Sequence, residues 1–144
     1  MSTNHVQPRL SQPAGQDHTR LLRLALQLDA VASGALGVLL LIAGPALDDL
    51  LRIPMAVLVP VGLLLVAYAA LLWLIGSRRH LPRSASWAVV AGNLLWVATS
   101  VVVVAAGWWS PSAAGTALVL VQAAAVALFA GLQFLGLRAS RVAS

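Results

Sequence analysis

The hydrophobic and polar positions of this chain fall in long blocks. A polar block at 1–18 (MSTNHVQPRLSQPAGQDH) precedes four apolar blocks at about 22–43, 55–75, 86–106 and 111–137, and a short polar end follows at 139–144. About 20 apolar residues, at 1.5 Å rise each, span the hydrocarbon of a bilayer. Each apolar block has that length, and none alternates with the period of a strand. Backbone in lipid must also satisfy its own hydrogen bonds. The pattern predicts an all-α fold: a four-transmembrane-helix bundle over 19–138, a disordered tail at 1–18 and a short tail at 139–144. The first block starts late, is too long and lacks a small-residue cleavage site, which argues against a signal peptide. Met-Ser-Thr offers no glycine for myristoylation.

The punctuation agrees with these blocks. Gly44-Pro45, Gly76 and Gly107 end the first three. Ser110 before Pro111 reads as an N-cap with proline at the first helical position of the fourth. Pro60 is expected to bend the second. In the link PALDDLLRIP, Pro45 can start a short helix with Asp48 and Asp49 in its first turn. Leu47, Leu50, Leu51 and Ile53 are then expected on the membrane surface.

Composition turns this reading into an exclusion. The chain is 60% hydrophobic and 9% charged, with a mean hydropathy of +0.92. A soluble domain carries about 25% charged residues, so this chain has too little polar surface for a water-exposed globule. There is no cysteine, which removes disulfides and thiolate chemistry. The net charge of +5 comes from arginine without lysine, and its placement makes topology a better explanation than nucleic acid. Arg9, Arg20 and Arg23 precede the first block, Arg78, Arg79 and Arg83 lie between the second and third, and Arg138 and Arg141 follow the fourth. Only Arg52 lies on the other side. The positive-inside rule puts both termini and the middle loop in the cytoplasm, in a multi-pass protein of the cell (plasma) membrane. Trp108 and Trp109 then mark the outer interface, and Trp73 and Trp87 the inner one.

Blocks two and four align without gaps at an offset of 60: Val59, Val61, Val66, Ala67, Ala70, Leu72, Gly76 and Arg78 match Val119, Val121, Val126, Ala127, Ala130, Leu132, Gly136 and Arg138. Blocks one and three share Ala30, Val31, Gly34 and Leu36 with Ala88, Val89, Gly92 and Leu94. A duplication predicts two tandem helical hairpins of the same topology, related by a pseudo-two-fold axis along the membrane normal. Chance matching of apolar segments is the alternative.

Polar groups within the blocks are the candidate chemistry, because each is costly in lipid. Asp29 is the one ionisable side chain well inside a span. It lies roughly 10 Å from the inner interface, with Asn93 and Tyr68 at similar depth on two other helices. These three form a candidate polar layer, and a carboxyl there is a candidate proton carrier. The plainer alternative pairs Asp29 with Arg23, Arg79 or Arg83 near the inner surface. Asn93 and Gln122 are expected to bond between helices. Trp96 and Ser100, one and two turns beyond Asn93, define a candidate pocket face. Ser33 with Gly37 and Ala30 with Gly34 are close-packing pairs, and Gln27 and Gln133 read as interfacial. His5, His18 and His80 lie outside the spans, so no axial haem ligand or metal set is expected, and no cofactor. Asp29 with Ser33 is the only base–hydroxyl spacing, and it lacks a histidine. No catalytic residue is assigned.

The segments LDAVASGALGVLLLIAGPALDDLL and WWSPSAAGTALVLVQAAAVALFAGLQ carry a resemblance through Leu28-Asp29-Ala30, Gly44-Pro45, Asp48-Asp49-Leu50-Leu51 and Ala114-Gly115-Thr116. Over roughly 24–137 the chain resembles small uncharacterised four-helix integral membrane proteins of actinobacteria, and this resemblance implies no established activity. The four-helix plan with one acidic residue in the first span is also similar to small multidrug-resistance transporters. Those carry glutamate there and further motifs that this chain lacks. The one-sided arginine distribution argues against a dual-topology antiparallel dimer.

The sequence thus predicts a non-enzymatic packing, accessory or interaction protein of the lipid bilayer, acting as a homo-oligomer or with a membrane protein partner. A small oligomeric proton-coupled transporter or pore using Asp29 is the second expectation. An enzyme acting on lipid or quinone at the Trp96 face is the third.

Overall fold

The computed structural model describes residues 14–142, with side chains over 19–139. Five helices follow one another among the described residues: α1 (Ala14–Ile42), α2 (Gly44–Leu51), α3 (Met55–Ser77), α4 (Arg83–Ala106) and α5 (Ala113–Val142). Four are long and apolar enough to cross a membrane, and the fold is an all-α four-helix bundle. Large apolar side chains such as Leu28, Leu64, Leu95 and Leu128 stay more than half exposed, as lipid-facing positions would. The tail expected at 1–18 overlaps α1 from Ala14 onward, and its remainder lies outside the described residues. At the other end α5 continues through Arg138 to Val142, so the break expected at 139 falls inside a helix.

The helix at the centre is α1. It packs most extensively on α3 and also on α5, while α4 packs mainly on α5 and touches α3 only lightly. The small residues of α1 explain its position. A Cβ added at Gly37 would lie 2.8 Å from the Gly62 carbonyl oxygen, and one at Gly62 would lie 3.0 Å from the Gly37 carbonyl oxygen. At this crossing only glycine lets the two backbones meet. On the other side of α1, Gly136 of α5 faces Leu22, its added Cβ 3.0 Å from that side chain.

The helices do pair as α1–α3 and α4–α5 hairpins, but the expected two-fold axis is not obeyed. That axis would make the α1–α5 and α3–α4 contacts equivalent, and only the first is closely packed. The repeat-matched Gly76 and Gly136 both pack on α1, and Ala130 is buried where its match Ala70 is exposed.

The outer link also departs from expectation. Helix α2 begins one residue before Pro45, so Asp48 and Asp49 fall beyond its first turn. Asp48 instead accepts a bond from the Met55 N–H at 3.3 Å, which fixes the start of α3. Leu51 and Ile53 turn inward and join a buried cluster with Leu40, Leu58 and Leu65, leaving Leu50 on the surface. Helix α3 runs through Pro60 as a single helix.

The N-cap of α5 is Ser112 and not Ser110. Ser112 Oγ accepts from the Gly115 N–H at 3.0 Å and donates to the Leu50 carbonyl at 2.8 Å, while its own N–H bonds to the Leu51 carbonyl at 2.9 Å. One serine therefore satisfies both a helix start and a helix end. Ser110 sits in the left-handed region, at φ 44°. Ser112→Ala should lower unfolding stability in detergent by about 0.5–2 kcal/mol, the usual worth of a cap. Ser110→Ala should leave it nearly unchanged.

Candidate functional site

Four helices send polar side chains to one level of the bundle. Asp29 and Ser33 come from α1, Tyr68 from α3, Asn93 from α4 and Gln133 from α5. Asp29 and Gln133 are fully buried, Asn93 and Ser33 nearly so, and Tyr68 half-buried. Asp29 Oδ2 accepts from Asn93 Nδ2 at 2.9 Å and from Gln133 Nε2 at 3.0 Å, and Oδ1 accepts from the Ser33 hydroxyl at 3.2 Å. Asn93 Nδ2 also donates to Gln133 Oε1 at 3.2 Å, and the Tyr68 hydroxyl donates to Asn93 Oδ1 at 2.7 Å. Among the described residues no buried side-chain nitrogen or oxygen lacks a partner.

The structure thus brings Asp29, Asn93 and Tyr68 together as the sequence led us to expect, and adds Ser33 and Gln133. The alternative pairing of Asp29 with arginine fails, because every partner of Asp29 is a neutral amide or hydroxyl. Arg23 is committed elsewhere. Its guanidinium donates to the carbonyls of Gly76 and Arg78, each at 2.9 Å, and so caps the end of α3. The placement of Gln133 at the interface is also corrected. Helix α5 extends past the apolar block at 111–137, which leaves Gln133 at the depth of Asp29 and fully buried.

Beneath this layer the bundle is closed by Leu22, Leu26, Leu72, Ile75, Val89 and Leu137. On the other side lie two cavities. The nearer, about 160 Å³, is lined by Ser33, Leu64, Tyr68, Asn93, Trp96 and Val126, among others. The farther, about 190 Å³, is almost wholly apolar and reaches Ile53 and Trp109. Leu65 of α3 and Trp96 of α4 line both.

The expected pocket face is present as a second polar group. The Trp96 indole N–H donates to Gln122 Oε1 at 3.0 Å, Gln122 Nε2 donates to Ser100 Oγ at 3.3 Å, and the Ser100 hydroxyl donates to the Trp96 carbonyl at 2.8 Å. Trp96 is thereby fixed as a partition between the cavities. Among the described residues no group of His, Cys, Asp and Glu could hold a metal ion. Ser33 and Asp29 stand in the contact that a hydroxyl nucleophile and its base require. Asp29 Oδ2, however, is already tied to two amides.

At the arginine-rich end, Arg138 lies 5.5 Å from the centroid of the Phe134 ring. Trp87 meets the same ring edge-on at 5.6 Å.

Comparison with protein families, curated proteins and solved structures finds no match for this chain.

Proposed function

We propose that this chain is a non-enzymatic, multi-pass protein of the cell membrane that acts by association, with a second copy or with another membrane protein, and that its polar layer locks the four helices together. The observation that carries this reading is the closure of the layer. Asp29 lines neither cavity, and the amide hydrogens of Asn93 and the hydroxyl hydrogens of Ser33 and Tyr68 are spent on other members of the layer. Such a network specifies one packing. The arginine distribution supports a cytoplasmic side for both termini and the α3–α4 loop. The α5 face carrying Ala124, Ala127 and Gly131 is exposed, and nothing lies within 4 Å of a Cβ added at Gly131. The chain has no native cysteine, so single-cysteine variants report association directly. Gly131→Cys in nanodiscs should give a cross-linked dimer or a linked partner, and Leu71→Cys on α3 should give neither. A strictly monomeric, partner-free chain, or equal cross-linking from both positions, would sink the proposal.

One observation favours a second reading, a small oligomeric proton-coupled transporter or pore. Asp29 has no cation among its partners, and Ser33, Tyr68 and Asn93 stand between it and a cavity. On this reading Asp29→Asn abolishes pH-driven flux in reconstituted vesicles while the chain still folds. Flux equal to that of the unaltered chain would remove the reading.

A further inference from the structure

Several glycines in the spans serve helix crossings, but Gly92 does not. It is exposed, and nothing lies within 4 Å of where its Cβ would stand. Gly92 lines the nearer cavity, as does Leu64, which is 55% exposed. Helices α3 and α4 touch only lightly, and each contributes an exposed residue, Leu64 and Gly92, to the wall of this cavity.

We propose that the cavity bounded by Ser33, Tyr68, Asn93 and Trp96 binds an apolar molecule that carries a hydrogen-bond donor, a hydroxyl or an ammonium group, and that this molecule reaches the cavity from the bilayer past Gly92. The donor requirement follows from how the hydrogens of the wall are used. Asn93 Nδ2 has two, given to Asp29 and Gln133. The Tyr68 hydroxyl gives its one to Asn93, and the Ser33 hydroxyl gives its one to Asp29. A hydroxyl oxygen also has two lone pairs. Ser33 Oγ and Tyr68 Oη can therefore accept a bond but have no hydrogen left to give. A ligand ether or carbonyl brings only another acceptor, whereas a hydroxyl or ammonium brings the missing hydrogen. Size is consistent with this choice. An apolar void of about 150 Å³ holds benzene, so about 160 Å³ takes a head group with a ring or a few carbons. The remaining tail lies between α3 and α4 in the bilayer.

The test uses the full chain in phosphatidylcholine nanodiscs and an alkanol with a photoreactive diazirine near its hydroxyl. Adducts should be saturable and map around Tyr68, Gly92 and Trp96. Decan-1-ol and decylammonium should each compete roughly tenfold better than methyl nonyl ether, the worth of one buried hydrogen bond. Gly92→Leu should close the way in and cut labelling about tenfold with no fall in the unfolding midpoint, because leucine is the better helix former at an exposed site. Tyr68→Phe should narrow the alcohol-to-ether ratio. The proposal is overturned by adducts spread over lipid-facing positions such as Val121 and Leu128, by equal competition from the ether, or by full labelling of folded Gly92→Leu.

Discussion

Asn93→Leu should be the most damaging single substitution in the bundle, lowering its unfolding stability by about 3–5 kcal/mol. Leucine has the branching of asparagine but is bulkier, and the cavity of about 160 Å³ beside Asn93 can take the added volume, so the loss is chiefly one of bonding. Asn93 connects three helices. It donates to Asp29 and to Gln133 and accepts from Tyr68. Without it, Asp29 keeps Ser33 and Gln133, but Gln133 Oε1 and the Tyr68 hydroxyl lose the partners described above. Hydrogen bonds between membrane helices average only about 0.6 kcal/mol when the unfolded chain can find substitutes. The larger figure applies because removal strands buried groups, at about 1–3 kcal/mol each. Asp29→Asn is the informative comparison. Its remaining oxygen can still accept from Asn93 and Gln133, and its new amide can donate to Ser33, so a loss below about 1.5 kcal/mol is expected. Unfolding in mixed micelles, followed by circular dichroism, measures both. An Asn93→Leu loss no greater than that of Asp29→Asn would show that the layer does not lock the bundle.

The layer was partly legible from sequence because depth in a membrane helix follows from position. Counting 1.5 Å per residue from the arginine-marked end puts Asp29, Asn93 and Tyr68 at one level, and the side chains do meet there. Gln133 was missed because the fourth span was bounded by its apolar residues. The helix continues through Arg138, which moves Gln133 inward relative to the helix end. Ser33 is legible both as a small packing residue and as the one hydroxyl four residues from Asp29, and that spacing makes the bond.

The separation of α3 and α4 left no trace in the sequence. Their side chains are apolar on nearly every face, so hydrophobicity cannot distinguish a face that meets lipid from one that meets another helix. What decides neighbours here is residue size, and the cues are ambiguous. Gly37 and Gly62 mark a crossing, whereas Gly92 and Gly131 face open space. The cap of α5 shows the same limit. Ser110-Pro111 is a good local start signal, yet Ser112 wins because it also meets the end of α2, a contact between segments that lie far apart in sequence.

That dependence on residue size gives the second large effect. Gly37→Val should destabilise the protein by about 3 kcal/mol, at the upper end of what overpacking costs, and Gly37→Ala should already be clearly destabilising. An added Cβ meets the Gly62 carbonyl oxygen at 2.8 Å, Val66 Cγ2 at 2.9 Å and Leu65 Cβ at 3.0 Å. The oxygen belongs to backbone and the Leu65 Cβ cannot rotate away, so α1 and α3 must separate. Separation there loosens the most extensive helix pair in the fold and shifts the helix that carries Asp29 and Ser33 away from Tyr68. Gly131→Val provides the contrast, since a Cβ at Gly131 meets nothing within 4 Å. On the monomer it should cost little, because valine is no worse a helix former than glycine. Unfolding midpoints of the two valine variants in one detergent measure the difference. Similar midpoints would mean that the α1–α3 crossing is looser than 2.8 Å implies and that the bundle does not depend on glycine there.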